Sequence, residues 1–250
     1  MRRLTLFVHG ETGTGKSWLF NTAPGPRLLL DAEGRADYLA DLRVDPTGMT
    51  PQRIVRWNPV DPIPADSADP DVVTVVSVLD FDTLKLAYRW LASGEHPFRS
   101  VGVDSLQEVQ QRLTDAIAGT NPMRTQDWGT ALRELDGLIR NLRDLRGHPT
   151  NPVDVVVVVA GSAPKDGKDR PMVQGQMQNR APYHFDVVGA LRKGIDAEGN
   201  RVRYLTIDGY VGDVVAKDNT HLLSATYGEH IFNPDISAML TVLNPTQEVN

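Results

Sequence analysis

The chain has 250 residues, enough for one large or two small domains with a substantial core, and a formal net charge of -6 at pH 7. This acidic balance excludes a global basic field for nucleic acid, so a polyanion would have to bind a local patch. The absence of cysteine excludes disulfides and thiolate metal sites, and no apolar run fits a signal peptide or a membrane span, so we expect a cytoplasmic protein without membrane contact.

The first part of the chain alternates short apolar runs with turn residues. Apolar runs rich in β-branched residues predict buried strands, and clusters of Pro and Gly mark where helices end. In chain order we predict a strand at 3–8, a helix at 16–22, a strand at 27–31, a short helix at 36–42, an edge strand at 54–57 and a surface loop at 58–71.

The middle of the chain carries longer helical patterns. Leu84, Ala87, Tyr88 and Leu91 have the spacing of an amphipathic helix that ends near Gly94. The other predicted elements are a strand at 99–104, a helix that starts with a Ser105–Glu108 capping box, a helix at 126–145, a strand at 153–160, a mobile loop at 161–180, a short helix at 183–191 and a hairpin of 201–207 with 209–216 about Asp208-Gly209.

The order of these elements predicts the fold class. Apolar strands that alternate with helices indicate an α/β fold of the P-loop type, with a mostly parallel central sheet flanked by helices and a C-terminal portion rich in β-hairpins. The elements on both sides of the loop at 58–71 continue one pattern, so we expect a single domain over 1–242. Residues 243–250 are expected to form a loose tail.

A glycine-rich segment after the first strand matches the phosphate-binding pattern G-x-x-x-x-G-K-[ST]. Glycines let backbone N–H groups turn toward a phosphate, and the start of the following helix presents further N–H groups to the same anion. We expect Lys16 to reach the β- and γ-phosphates of ATP and the Ser17 hydroxyl to ligate Mg²⁺. The predicted nucleotide-binding residues are Gly10, Glu11, Thr12, Gly13, Thr14, Gly15, Lys16, Ser17 and Trp18. The position of Trp18 directly behind the loop favours the core over a platform for base stacking.

Nucleotide hydrolysis also needs a carboxylate for the metal and a base for the attacking water. Asp104 ends an apolar strand, and such strand ends converge in a parallel sheet, so we expect Asp104 to hold Mg²⁺ together with Ser17. Glu33 follows the second strand and is the predicted water-activating base, with Asp31 as its rival. Glu108 lies near Asp104 as well, but the capping box favours a structural role for it.

Three segments together resemble the RecA-like ATPases: residues 10–17, Leu-Leu-Asp-Ala-Glu-Gly at 29–34 and Val-Gly-Val-Asp-Ser-Leu at 101–106. The similarity is greatest to the compact phage AAA-domain, or Sak-type, single-strand annealing ATPases. The later motifs of that family resemble Phe-Asp-Val-Val at 185–188 and Val-Ala-Lys-Asp at 215–218. The resemblance spans about residues 4–220 and supports the role expected of Glu33.

This resemblance implies a Mg²⁺-dependent ATPase of phage-type DNA recombination or replication, located in the host cytoplasm if a phage encodes it. It further implies a homo-oligomer that binds single-stranded DNA. A basic residue of such oligomers can reach the neighbouring subunit's phosphates, so Lys217 joins Lys16 and Glu33 as a predicted catalytic residue, with a plain surface lysine as the alternative. Two positions depart from the family pattern: Ser162 stands where a phosphate-sensing Gln or His is usual, and Asn219 stands where Arg is common.

Residues 162–193 carry a local excess of positive charge, and a Gly- and Gln-bearing loop there resembles the DNA-binding loop of recombinases. Contacts to the DNA backbone would make binding salt-dependent and tolerant of sequence. A solvated surface loop is the alternative, because no aromatic residue is interleaved before Tyr183. The predicted DNA-binding residues are Lys165, Lys168, Arg170 and Arg180.

Two other functions share the phosphate-binding loop. A small-molecule kinase is disfavoured by the Asp-Ala-Glu turn at 31–33 and by the lack of an Arg-rich lid. A nucleotide-gated loader or interaction module with little hydrolysis is kept open by Ser162 and Asn219. Stimulation of turnover by single-stranded DNA, or by a phosphate acceptor, separates these functions.

Overall fold

The computed structural model describes residues 1–40, 52–196, 198–209 and 213–245. Its strands are β1 Leu4–Gly10, β2 Arg27–Asp31, β3 Arg53–Arg56, β4 Val72–Ser77, β5 Ser100–Asp104, β6 Val155–Lys165, β7 Lys168–Pro171, β8 Val187–Ile195, β9 Arg201–Thr206, β10 Lys217–Asp218 and β11 His230–Phe232. Its α-helices are α1 Lys16–Asn21, α2 Phe81–Ser93, α3 Leu106–Ala118, α4 Thr125–Asp144, α5 Met177–Arg180, α6 Leu222–Tyr227 and α7 Ile236–Leu243. Short 3-10 helices lie at Ala36–Ala40, Ala65–Ala68, Leu145–Gly147 and Ala181–His184.

One sheet joins the strands in the order β11-β9-β8-β1-β6-β5-β2-β4-β3, with β10 beside β8 and β7 beside β6. Neighbours from β8 to β3 are parallel, whereas β7, β9, β10 and β11 pair antiparallel with their neighbours. This arrangement confirms the predicted α/β fold and its hairpin-rich C-terminal portion. Parallel pairing brings the strand ends to one edge, where Gly10 is level with Gly161 and Asp31 is level with Asp104.

Helices cover both faces of the sheet, and the central strand β6 shows why the strands are apolar throughout. Val156 and Val158 of β6 pack in a core cluster with residues of α2, α3 and α4, whereas Val155 and Val157 pack in a second cluster with residues of α1, α6 and α7. Successive side chains of a strand point to opposite faces, so a strand covered on both sides has no solvent face. The unbroken valine run follows from this double burial.

Most elements of the first two thirds of the chain agree with the prediction. The strands β1, β2, β3 and β5 and the helices α1, α2, α3 and α4 begin and end within a few residues of the expected positions, and β3 is an edge strand as predicted. The strand β4 was not predicted, although its sequence Val-Val-Thr-Val-Val-Ser has the β-branched pattern of a buried strand. The predicted helix at 36–42 is a 3-10 helix over Ala36–Ala40, and its last two positions lie outside the described residues.

The predictions for the C-terminal third need correction. The expected mobile loop at 161–180 is wrong in its first half, because β6 continues to Lys165 and pairs with β7 as a hairpin. The expected helix at 183–191 is wrong, because Val187–Ile195 is the strand β8, which pairs with β1. The hairpin expected between 201–207 and 209–216 is also wrong: β9 pairs with β8 and β11, and residues 210–212 lie outside the described residues. In these segments, pairing with strands that are distant in sequence determines the secondary structure.

The two ends of the described chain meet beside α7. The Asn244 side chain accepts a hydrogen bond from the Arg2 backbone N–H at 2.5 Å and donates one to the Arg2 carbonyl oxygen at 2.9 Å. The first residues of the expected tail at 243–250 are therefore anchored, and 246–250 lie outside the described residues. No helix in the described parts of the chain has both the length and the apolar character needed to cross a bilayer.

Candidate nucleotide-binding and hydrolysis site

The glycine-rich loop lies between the carboxyl end of β1 and the start of α1. Gly13 and Gly15 have φ angles of 76° and 95°, a region that side chains other than glycine rarely adopt. The Lys16 ammonium donates hydrogen bonds to the carbonyl oxygens of Gly10 and Glu11, each at 2.9 Å. Burial lowers the pKa of Lys16, although the carboxylates of Asp104 and Glu33 act in the opposite direction. The loop thus curls around a partly buried cation, which suits an anionic ligand.

Asp104 lies at the end of β5 and contacts the start of α1. Its carboxylate accepts a hydrogen bond from the Ser17 hydroxyl. Burial raises the pKa of Asp104 to about 6, with further contributions from the carboxylates of Glu33 and Asp31, while the Ser17 hydrogen bond lowers it. A carboxylate held in this way against its solvation preference is typical of a functional site.

Glu33 reaches the same strand edge from the turn after β2. Its backbone N–H donates to the Asp104 carbonyl oxygen at 3.2 Å, and its Oε1 accepts a hydrogen bond from the Ser105 hydroxyl at 2.5 Å. Its Oε2 lies 3.8 Å from Arg35 Nη1. Backbone and side-chain contacts therefore fix the Glu33 carboxylate next to Asp104.

The other two carboxylates near this edge have structural contacts. Asp31 is buried and accepts hydrogen bonds from the backbone N–H groups of the turn, at 2.8 Å from Gly34 and 2.9 Å from Ala36. Glu108 forms an ion pair with Arg112 at 3.0 Å. The predicted capping box is wrong, since the side chain of Ser105 makes no capping hydrogen bond and binds Glu33 instead.

A cleft of about 1080 Å³ lies at this edge of the sheet, between the glycine-rich loop and the ends of β2 and β5. Lys16, Ser17, Glu33 and Asp104 all line it, as does the largely buried Trp18. The cleft also contains residues of α3 and of the β8–β9 hairpin that were not predicted to bind nucleotide. They are Gln107, Arg112, Lys193, Arg201 and Arg203.

Gln107 lies beside Gly161 of β6, next to the position where a phosphate-sensing residue was expected. Its side-chain oxygen accepts a hydrogen bond from the backbone N–H of Gly161, and it lines the cleft. Ser162, the next residue, forms a 2.5 Å hydrogen bond with Nδ1 of His9. A side-chain amide therefore does stand beside the end of β6, although it comes from a helix rather than from the strand itself.

A family model for the AAA domain matches residues 2–218. The chain belongs to the AAA domain family. AAA domains of this kind are P-loop ATPases that bind nucleotide, and the match covers both the loop at 10–17 and the strand that ends at Asp104. No curated protein matches the chain.

The oxygen atoms of this AAA domain fit a magnesium ion whose other ligands would come from the phosphates of a nucleotide and from water. In the described ranges, no group of three or more His, Asp or Glu side chains could hold a metal alone. The Ser17 hydroxyl and the Asp104 carboxylate are hard oxygen donors in direct contact. Mg²⁺ is typically bound by one or two such protein ligands together with phosphate oxygens and water.

The remaining predicted residues lie outside the cleft of the AAA domain. Lys217 is on β10 opposite Val188, which is level with Phe7, three positions before Gly10 on β1. The predicted DNA-binding residues are on the β6–β7 hairpin and the short helix after it: Lys165, Lys168, Arg170 and Arg180. Lys165 and Arg180 are exposed, and Lys168 and Arg170 are partly buried.

His9 gives this AAA domain a pH-sensitive contact beside the loop. It is fully buried, and its Nε2 lies 2.7 Å from the carbonyl oxygen of Val215, so Nε2–H donates there while Nδ1 accepts from Ser162. Burial lowers the pKa of His9 from 6.5 to about 4. The neutral ring therefore joins β1, β6 and the segment before β10.

We expect the free energy of unfolding to fall as the pH drops from 6.5 to about 4. In this window the unfolded chain binds a proton that folded His9 does not, so stability present above pH 6.5 is lost, by on the order of 3 kcal/mol. His9→Gln preserves a donor and an acceptor without titrating, so its unfolding free energy should depend less on pH. Denaturant titrations across this range measure the difference.

The control for this prediction is His221→Asn, which changes an exposed histidine that has φ 56°, a conformation that Asn tolerates. The control should keep the pH dependence of the wild type. Equal pH dependence in His9→Gln and in the wild type would contradict the assignment of the buried neutral ring.

Proposed function

We propose that this AAA-domain protein is a Mg²⁺-dependent ATP hydrolase whose turnover is coupled to single-stranded DNA. We further propose that it acts as a homo-oligomer in phage-type DNA recombination or replication. One observation carries the hydrolytic part: Asp104 and Glu33 meet the glycine-rich loop at one edge of the sheet and line one cleft with five of its residues, Thr12, Gly13, Gly15, Lys16 and Ser17. The resemblance of the motifs at 185–188 and 215–218 supports the phage-type assignment.

Each residue of the cleft has a distinct task in this proposal. Lys16 and the backbone N–H groups of the loop bind the phosphates of ATP, and Ser17 and Asp104 would hold Mg²⁺. A bound Mg²⁺ neutralises charge on the phosphate oxygens. Glu33 is the general base: Ser105 orients it through Oε1, and Oε2, 3.8 Å from Arg35 Nη1, is the oxygen that accepts a proton from the attacking water.

The β6–β7 hairpin supports the proposed DNA contact. Gly161 and Ser162 of β6 border the cleft, and the same strand continues to Lys165 at the end of the hairpin, about 10 Å further on at roughly 3.3 Å per residue. Asp169 of β7 is ion-paired with Arg192 at 2.7 Å, so it does not neutralise its neighbours. A positively charged hairpin continuous with a strand of the cleft is a direct physical link between nucleotide and DNA.

The proposed oligomer gives Lys217 its task. Lys217 is partly buried on β10 and does not line the cleft of its own chain. Its phosphate contact, as the resemblance implies it, would therefore be with the nucleotide of a neighbouring subunit. Burial lowers the pKa of Lys217, and the Asp186 carboxylate raises it.

We expect the double variant Lys165→Ala, Arg170→Ala to bind single-stranded DNA more weakly. Removing one cation that neutralises a phosphate should reduce the slope of log affinity against log salt by about 0.7, and hence by roughly 1.4 for the pair. Fluorescence anisotropy with a labelled oligonucleotide measures this slope. The double variant Lys85→Ala, Arg133→Ala removes the same charge from α2 and α4, and its slope should equal that of the wild type. An unchanged slope in the hairpin variant would contradict DNA binding at this hairpin.

ATP turnover with and without single-stranded DNA, over a series of salt concentrations, tests the function as a whole. We expect DNA to stimulate turnover at low salt and the stimulation to disappear as salt rises, because backbone contacts are screened. Equal turnover with and without DNA would overturn the DNA coupling and leave a DNA-independent ATPase.

A nucleotide-gated interaction module is the second candidate, and one observation favours it. The hydroxyl of Ser162, at the position of the usual phosphate sensor, is engaged by the buried His9 ring. Near-zero turnover under all conditions, together with tight ATP binding, would establish this module and overturn the hydrolytic proposal.

A further inference from the structure

We propose that the β8–β9 hairpin binds the phosphate chain of the nucleotide held by the same chain, through Lys193, Arg201 and Arg203. These three residues are called the hairpin cations below. The proposal rests on the proposed ATP binding and adds a second set of phosphate ligands that is distant in sequence from the loop at 10–17. These three cations come from the same chain as Lys16, whereas the contact proposed for Lys217 comes from a neighbouring subunit.

The pairing of β8 with β9 places the hairpin cations on one face of the hairpin. Lys193 is directly opposite Arg203, and Arg201 is opposite Ile195. Residues two apart on a strand share a face, so Arg201 and Arg203 point to the same side. Like charges directly opposite each other on a sheet are destabilising unless something offsets them. A bound anion placed between them would offset the repulsion between Lys193 and Arg203.

This face is turned toward the phosphate-binding loop. Arg203 Nε is 2.9 Å from the position that a Cβ atom on Gly15 would occupy, and Lys193 Nζ is 3.6 Å from the corresponding position on Gly13. All three hairpin cations line the cleft that also contains Lys16. The nucleotide phosphates, bound by the backbone of the loop, would therefore lie within reach of the Arg203 and Lys193 side chains.

The neighbouring residue Arg192 has a structural role and differs in this from the hairpin cations. It points to the other face of β8 and is held by two carboxylates, Asp169 at 2.7 Å and Asp213 at 2.8 Å. In the ranges that the structure describes, neither Lys193 nor Arg201 forms an ion pair with a carboxylate. Among the described residues, two carboxylates therefore pair with Arg192, whereas Lys193 and Arg201 line the cleft.

Calorimetric titration with ATP tests the proposal on the variants Arg203→Ala and Lys193→Ala. We expect each variant to raise the Kd for ATP by about tenfold or more, since hydrogen bonds to charged groups are the strong ones. Arg203→Lys should recover part of the affinity, and Arg133→Ala, an equal loss of charge on the exposed side of α4, should bind like the wild type. Wild-type affinity in both hairpin variants would overturn the inference while leaving ATP binding intact. A wild-type protein that fails to bind ATP would instead overturn the proposed function on which it rests.

Thermal unfolding without nucleotide separates this role from a structural one. Lys193 is exposed and lies opposite another cation, so Lys193→Ala should have a nucleotide-free Tm equal to or above that of the wild type, and ATP should raise the Tm of Lys193→Ala and of Arg203→Ala less than that of the wild type. Lower nucleotide-free Tm values in both variants would assign the two residues to folding and contradict the proposal.

Mixing Lys16→Ala with Arg203→Ala, at an ATP concentration below the Kd of Arg203→Ala, tests whether the contact is made within one chain. Both substitutions impair the same site if Arg203 serves its own chain, so their mixture should have no more turnover than the sum of the two alone. Recovered turnover in the mixture would show that Arg203 completes a neighbour's site and would overturn the same-chain assignment.

Discussion

Lys16→Ala is expected to reduce ATP turnover at least about 100-fold, which is the scale of losing a group that stabilises charge in the transition state. The Lys16 ammonium is the cation at the centre of the loop, and it already faces the loop carbonyl oxygens. Burial lowers its pKa, so the folded protein holds this charge at a cost and the variant should remain folded. Steady-state phosphate release measures the effect.

The matched control for Lys16→Ala is Lys85→Ala. Lys85 is a partly exposed lysine on α2, ion-paired with Asp82 at 3.4 Å, and it does not line the cleft. Its removal should leave turnover at the wild-type level. If Lys16→Ala hydrolysed ATP as fast as Lys85→Ala, the loop at 10–17 would have no part in catalysis.

Glu33→Gln is expected to bind ATP as the wild type does and to hydrolyse it about 10²- to 10⁴-fold more slowly, the usual contribution of a general base. Glutamine keeps the size of the side chain and can still accept the hydrogen bond from Ser105, but it cannot take a proton from water. Calorimetry of ATP binding and single-turnover hydrolysis measure the two effects separately.

Ser105→Ala is the companion to this variant. It removes the hydrogen bond that orients Glu33 but keeps the carboxylate, so its turnover should lie between those of Glu33→Gln and the wild type. Weak ATP binding with normal turnover in Glu33→Gln would contradict the role proposed for Glu33 and favour one of the other carboxylates of the cleft as the base.

The elements that carry the candidate site could be predicted because their signals are local. The pattern at 10–17 contains its own spacing, and β2 and β5 are short apolar runs that end in an acidic residue. Once these runs are parallel neighbours, the register alone brings Asp31 level with Asp104. The approach of Glu33 to Asp104 then follows from the turn after β2.

The missed strand β4 has a local strand pattern, but the other errors arose where a distant residue outcompetes a local pattern. Ser105 and Glu108 have the sequence of a capping box, yet the Ser105 hydroxyl binds Glu33 from another strand edge. Residues 187–191 were expected to be helical, but pairing with β1 makes them a strand. A short apolar run fits either structure, and its neighbours in the sheet decide between them.

The contact between the β8–β9 hairpin and the loop has no local signal at all. Lys193 lies just after the expected helix at 183–191, in a stretch whose positive charge was considered for DNA, and Arg203 was expected in a different hairpin. Their approach to Gly13 and Gly15 depends on the position of β8 beside β1. Such a contact becomes visible only when the order of strands is known.

The two outer strands of the sheet limit how copies of this chain can assemble. β3 has four residues with Arg53 and Arg56 at its ends, and β11 has only three residues. Short strands and strands flanked by charge are poor templates for edge-to-edge pairing. An oligomer of this protein would therefore form through helices and loops rather than by extending the sheet from one copy to the next, and its subunits could shift against one another without breaking a continuous hydrogen-bond ladder.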